Sequence, residues 1–227
     1  MEITGKVYEP YREWIMNNHI LIAGSSGSGK STLIDGLIHA ALFTNNSYFI
    51  LIDPKRLALK KYRNMKNLMA RVTETDEAIQ VLQKTIQMME NRYEDMENRD
   101  LDVCDKPHIF VIVDEYADLM LTSGKVVTPL IQRIAQLGRQ ANIHLVIATQ
   151  TVLATIISTP IRANFDCIIA LRTATANQSR VILGENGAEK LPRHGTGIVS
   201  TPEGMYRYKL PMVPKEELER VIQAFNK

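Results

Sequence analysis

Residues 24–31 read Gly-Ser-Ser-Gly-Ser-Gly-Lys-Ser, a full match to GxxxxGK[ST]. No other stretch of this chain narrows its possible folds so sharply. The motif needs a strand in front of it and a helix behind it. The chain offers both: an apolar run at residues 19–23, read as a buried strand, and a helical stretch to about residue 43. The chemistry explains the residue types. Glycines let backbone N–H groups turn inward around phosphates, and the start of the helix adds positive potential. Gly24, Ser25, Ser26, Gly27, Ser28, Gly29, Lys30, Ser31 and Thr32 are therefore expected to hold a nucleotide. Lys30 is expected to reach the β- and γ-phosphates, and Ser31 to place its hydroxyl on Mg²⁺.

Strand-like apolar runs recur at residues 48–52, 68–72, 109–113, 143–148 and 167–171. Amphipathic stretches alternate with them. The longest, 76–99, carries Ile79, Leu82, Ile86, Met89, Tyr93 and Met96, spaced alternately by three and four, which makes one continuous stripe on a helix. Met88, Met89 and Met96 on it are read as packing residues. Helices are also expected over 126–140 and 175–183. Residues 197–200 and 205–209 flank a Thr-Pro-Glu-Gly turn and read as a hairpin. Pro214 opens a last helix, with Glu216 and Glu217 favourably placed in its first turn. Buried strands separated by helices predict the α/β class, a mostly parallel central sheet flanked by helices, with a small C-terminal β-hairpin and helix. No repeat or linker interrupts the pattern, so residues 1–227 read as one domain.

Two further elements point at the nucleotide. The strand at 109–113 delivers Asp114 and Glu115 at its C-terminal end, where ligands bind in open α/β sheets. Successive residues leaving a strand point differently, so adjacent acids suit different tasks. Asp114 is expected to hold Mg²⁺, directly or through water, and Glu115 to polarise the attacking water. Gln150 ends the strand at 143–148 and its neighbour Thr149. A neutral amide there can sense the γ-phosphate or orient water.

These strings occur together with others. Gly24 to Ser31, Asp53-Pro54-Lys55, the run from Val113 to Met120, the run from Ile143 to Gln150, and Gly187-Ala188-Glu189 follow one another in that order. Taken together the chain resembles the motor domain of FtsK/SpoIIIE DNA translocases, within the wider FtsK–HerA group that includes conjugative coupling proteins. The resemblance covers about residues 18–210. It implies a RecA-like P-loop fold, ATP bound between neighbours in a homo-hexameric ring, and double-stranded DNA in the channel. It also implies a trans-acting arginine at Arg139, with Arg133 the alternative, acting on the transferred phosphate of the next subunit. Thr151-Val152 stand where the family has Arg-Pro, and Gln178 where it has an acid before Ser179-Arg180. Larger family members carry a membrane region before the motor and a winged helix after it. This chain is expected to be a motor with neither.

Composition sets the remaining bounds. A formal net charge of +2 does not announce a nucleic-acid partner, although a ring can concentrate cations on its channel wall. Lys55, Arg56, Lys60, Lys61, Arg63 and Lys66 form a basic run around Tyr62, read as a solvated face, with Lys55 set apart by its Asp-Pro-Lys string. Loops after Asp118 and Gln150 are the expected DNA-facing segments, and Lys125 and Arg162 are their candidate cations for phosphate contact. Cys104 and Cys167 lie far apart without metal spacing. They suggest a reducing, cytoplasmic setting. The polar stretch at residues 1–11 is not a signal peptide, and no apolar run is long enough to span a bilayer, so work at a membrane or capsid would need a partner protein. His19, His39, His108, His144 and His194 show no metal spacing. His144 is expected on a strand near the site. Three functions remain: DNA translocation, delivery of DNA or protein to a secretion or packaging machine, and a nucleotide-dependent assembly switch. Glu115 argues against a pure switch, because a water-polarising carboxylate suits turnover.

Overall fold

A computed structural model describes residues 8–44, 46–211 and 214–225. The polar N-terminal stretch lies outside the described residues as far as residue 7. In chain order the elements are α1 (Glu9–Asn17), β1 (Ile20–Ala23), α2 (Lys30–Leu42), β2 (Ser47–Ile52), β3 (Leu68–Val72), α3 (Thr75–Asn98), β4 (His108–Val113) and α4 (Tyr116–Leu137). There follow β5 (Ile143–Thr149), α5 (Thr159–Arg162), β6 (Cys167–Ala170), α6 (Ala176–Leu183), β7 (Thr196–Thr201), β8 (Gly204–Lys209) and α7 (Lys215–Phe225).

The eight strands form one sheet in the order β3-β2-β4-β5-β1-β6-β7-β8. β3 through β6 in that row run parallel, and β7 and β8 are antiparallel. The central strands are apolar on both faces because both are covered. From β1, Ile20 and Ile22 pack with α1, α2 and α7, while Leu21 and Ala23 pack with α3, α4, α5 and α6. Phe110 and Ile112 of β4 alternate in the same way with Val111 and Val113. Each such Ile, Leu, Val or Phe side chain stabilises the fold by about 1.5–3 kcal/mol relative to exposure. The chain leaves β1 through α2 on one face and β5 through α5 on the other, so these adjacent strands form the switch point at which such sheets bind ligands.

Three elements differ from expectation. α1 is a helix that the polar composition of its segment concealed. Its Tyr11, Trp14 and Ile15 are buried on α2. Gly36 permits the contact, since a Cβ there would lie 2.7 Å from the Tyr11 ring. α4 begins at Tyr116 rather than 126, with a kink at Ser123 (φ −145°, ψ 34°), and it ends at Leu137. The segment after Asp118 is therefore helix, not loop. α5 is a four-residue turn of helix inside what reads as a loop.

The N-terminal edge of the sheet is filled by histidines. His19 Nδ1 accepts the Leu145 N–H at 2.9 Å, and His108 Nδ1 lies 2.9 Å from His144 Nε2. Nε2 of His19 and Nδ1 of His144 are buried with no protein partner among the described residues. His144 is thus at the opposite end of β5 from Gln150, not near the nucleotide segment. Burial, with Arg139 nearby, lowers His19 to a pKa of about 3. Burial, with His108, His19, Arg139 and Arg92 around it, lowers His144 to about 3. Both imidazoles stay neutral in the fold and charge near pH 6.5 when unfolded. Between about pH 6.5 and 3 the unfolded chain binds the extra protons, so stability falls as pH falls. The slope is about 1.4 kcal/mol per pH unit for each imidazole. Urea unfolding measured between pH 6.5 and 5 should show this fall, and His144→Gln should reduce the slope by about one imidazole's share, His19 and the also-lowered His39 keeping the rest. A flat wild-type profile would mean that these rings titrate normally.

Candidate functional site

The glycine-rich loop is clamped between the ends of two strands. Gly24 N–H donates to the carbonyl of Thr149, the last residue of β5 (3.2 Å), and Ser25 donates through N–H and Oγ to the Arg172 carbonyl after β6 (2.9 and 2.8 Å). Gly29 has φ +102°, a left-handed conformation that costs a residue with a Cβ roughly 1–2 kcal/mol. Its carbonyl accepts the Leu33 N–H (3.0 Å) and starts α2. The first turn of α2 contains no acid and no side-chain cap, so its N–H groups are left for another acceptor. A cleft of about 310 Å³ is bounded by this loop, Ser31, Thr32, Gln150 and His194. Ser31 and Thr32 are exposed.

Lys30 is buried. Its ammonium donates to the Asp114 carboxylate at 2.6 Å and to the Asp114 carbonyl at 2.7 Å. Asp114 is held in turn by its own N–H, which donates to Ile52 O at 3.0 Å. Glu115 is only 1% exposed. Its Oε1 accepts the Thr149 hydroxyl (2.7 Å) and the Gln150 N–H (3.0 Å), and its Oε2 accepts the Lys55 ammonium (3.0 Å) and, more weakly, the same N–H (3.3 Å). For Lys55 burial acts downward on the pKa, but the hydrogen bond and charge of Glu115, with Asp118 and Asp114, outweigh it and the net shift is upward.

The sequence-derived residues thus divide into two groups. Lys30, Asp114, Glu115, Gln150 and the loop from Gly24 to Thr32 gather at the C-terminal edge of the sheet. Arg139 does not. It lies in a 3₁₀ turn (Arg139–Ala141) before β5, at the N-terminal edge, paired with Asp166 at 2.7 Å. The seven residues of β5 separate the two ends by about 23 Å at roughly 3.3 Å per residue. Arg133 pairs with Glu90 on α3 (2.8 Å). Lys125 is exposed just beyond the kink of α4. Arg162 is half-buried and donates to the Val181 carbonyl at 3.1 Å. Of the basic run, Lys55 holds Glu115, Arg56 pairs with Glu74 and Lys61 with Asp35, while Lys60, Arg63 and Lys66 are exposed.

Sequence reasoning missed three site residues. Thr149 stands beside Gln150 and was readable only as strand. Lys55 was set apart by its string but not assigned to Glu115, because sixty positions separate them. His194 overhangs the cleft from a loop without any recognisable pattern.

The FtsK/SpoIIIE family model matches residues 2–108 and 102–154. The chain is 37% identical over 225 residues to the DNA translocase FtsK of Treponema pallidum, covering 90% of this chain and 28% of that protein. It therefore spans about a quarter of the length of the curated relatives it matches. Among solved structures, the cytoplasmic domain of the type VII secretion ATPase EccC from Thermomonospora curvata superposes with a TM-score of 0.77 at 25% identity, over 92% of this chain and 28% of that one. The pCW3 conjugation coupling protein TcpA, in a monomer form with ATPγS, gives a TM-score of 0.80 at 20% identity, over 92% of this chain and 65% of that one.

The hydroxyl of fully buried Thr149 also accepts the Thr151 N–H at 3.1 Å. Thr149→Val keeps the shape and removes both bonds, which should cost about 1–3 kcal/mol through the unsatisfied groups left behind. Urea midpoints of wild type, Thr149→Val and Thr149→Ser should rank the serine variant nearest wild type. A valine variant of unchanged stability would show that the hydroxyl is dispensable.

Proposed function

The chain belongs to the FtsK/SpoIIIE family, and from that premise we propose that it is an ATP-hydrolysing motor moving double-stranded DNA through a homo-hexameric ring. One observation carries the reading. A buried acceptor, Glu115, stands beside the Lys30–Asp114 pair and the glycine-rich loop at a single sheet edge. A binding module has no need of that extra carboxylate.

Each residue then has a task. The loop from Gly24 to Gly29 wraps the phosphates of ATP with its N–H groups. Lys30 counters the β- and γ-phosphate charge. Glu115 draws the proton from the attacking water, and Gln150 orients that water or reads the γ-phosphate. The exposed Ser31 hydroxyl and the Asp114 carboxylate are hard oxygen donors of the kind that Mg²⁺ selects. Mg²⁺ held there would neutralise charge between the β- and γ-phosphates. Arg139 lies too far along β5 to serve its own site, and in a ring it would face the nucleotide of a neighbour. Lys125 is the better placed of the two cations for DNA phosphates, since Arg162 is engaged inside its own fold. Among the described residues no helix is long and apolar enough to cross a membrane, so any work at a membrane or capsid would rest on a partner or on further sequence.

Steady-state ATP hydrolysis with and without linear duplex DNA tests the reading. Wild type should be stimulated by DNA, less so as salt rises. Glu115→Gln should bind ATP normally and turn over about 10²–10⁴-fold more slowly. Hydrolysis indifferent to DNA would favour delivery to a secretion or packaging machine, and a fully active Glu115→Gln would remove the assigned role.

The trans role of Arg139 has its own test. Lys30→Ala and Arg139→Ala should each be inactive, and mixing them should restore part of the activity, because some sites then combine an intact loop with an intact arginine. No recovery at any ratio would count against it.

A further inference from the structure

Glu115 is more tightly held than its task requires. A carboxylate offers about four lone-pair sites, and here Thr149, Gln150 and Lys55 take up both oxygens. Thr149 and Gln150 belong to β5 and its end, and they fix Oε1 from the sheet. Lys55 is different. It reaches Oε2 from a surface loop, its side chain is 42% exposed, and Glu115 is 1% exposed. A lone pair given to Lys55 is not available to receive a proton from water.

The loop carrying Lys55 is closed on itself by its own hydrogen bonds. Its base is closed by the Asp53 carboxylate, which accepts the Leu59 N–H at 3.0 Å, and by the Arg56 N–H, which donates to the Asp53 carbonyl at 2.9 Å. At the tip, Arg56 has φ +62°, a conformation that disfavours a side chain with a Cβ. Leu57 beside it is 80% exposed. The loop runs directly into a 3₁₀ turn at Lys60–Tyr62, where Lys60, Lys61 and Arg63 rim a shallow surface cavity. One short segment therefore joins an exposed cationic rim to the buried carboxylate. Tyr62 and Lys61 also bond to Asp35 of α2, at 2.8 and 2.5 Å, which ties the rim to the helix that begins at Lys30.

We infer that Lys55 is a positioning residue that restrains Glu115, and that a phosphate backbone docked on the Lys60–Lys61–Arg63 rim draws Lys55 away and frees Oε2 for the hydrolytic water. The ligand is a run of phosphates rather than a base sequence, because every charged group on the rim is a cation. The inference rests on the reading of the chain as a DNA-stimulated ATPase. It adds the residue through which the stimulation passes.

The experiment compares wild type, Lys55→Met and Lys55→Arg in steady-state ATP hydrolysis, with and without linear duplex DNA, after each variant is shown to melt as a folded protein. Lys55→Met should raise the DNA-free kcat about tenfold, a fraction of the roughly 10²–10⁴-fold that a positioned general base supplies. KM for ATP should be unchanged, and the ratio of stimulated to basal rate should fall towards one. Lys55→Arg should restore the restraint and the stimulation. If Lys55→Met lowers basal and stimulated rates by the same factor, or leaves both unchanged, the inference is wrong. If wild type itself ignores DNA while Lys55→Met still runs faster, the restraint stands and the DNA-motor reading is what fails.

Discussion

Parallel pairing of β1 with β5 and β6 is the constraint on which the rest of this molecule depends. In that register Ala23 lies level with Thr149 on one side and with Ala170 on the other. Val113 lies level with Ile147. Parallel strands end together, so Gly24, Asp114, Gln150 and Arg172 emerge at one edge although they are scattered over most of the chain. The loop hydrogen bonds to Thr149 and Arg172 follow from this geometry. A slip of one residue in either pairing would turn every side chain of the strand to the wrong face and draw the loop out of reach of both.

The same pairing divides the protein into two chemical ends. The C-terminal edge collects charge: a buried ammonium on one carboxylate and a second carboxylate ringed by donors. The N-terminal edge collects neutral imidazoles, whose charging is opposed first by burial and then by the nearby Arg139. Burial has opposite consequences at the two ends. It holds Lys30 and Asp114 together, and it keeps His19 and His144 uncharged.

Much of this was legible in the sequence. The glycine-rich loop, the two carboxylates and Gln150 could be read because each sits directly after an apolar run, and short-range order is what a sequence displays. The central strands were legible because they are buried on both faces and so lack polar interruptions. α1 was not, since it is short and its one apolar face, Tyr8, Tyr11, Trp14 and Ile15, is set among charged and polar residues. The first turns of α4 were hidden because the segment after Asp118 was expected to be a loop, where the helix instead continues through a kink at Ser123. Lys55 and Thr149 were missed as partners of Glu115 because a contact across strand ends leaves no local trace. The order of the strands, which brings them together, is set by packing far along the chain.

The separation of Arg139 from the glycine-rich loop carries a consequence for assembly. If the arginine serves another copy, the joining surfaces are the N-terminal edge of one subunit and the C-terminal edge of the next. Such a contact is heterologous, without a twofold axis, and it repeats until the rotation closes or continues as a filament. An open arc of any length then has one site fewer in working order than it has subunits, and only closure removes the deficit. On that arrangement the last subunit to join completes two catalytic centres at once, so activity would rise most steeply at the step that shuts the circle.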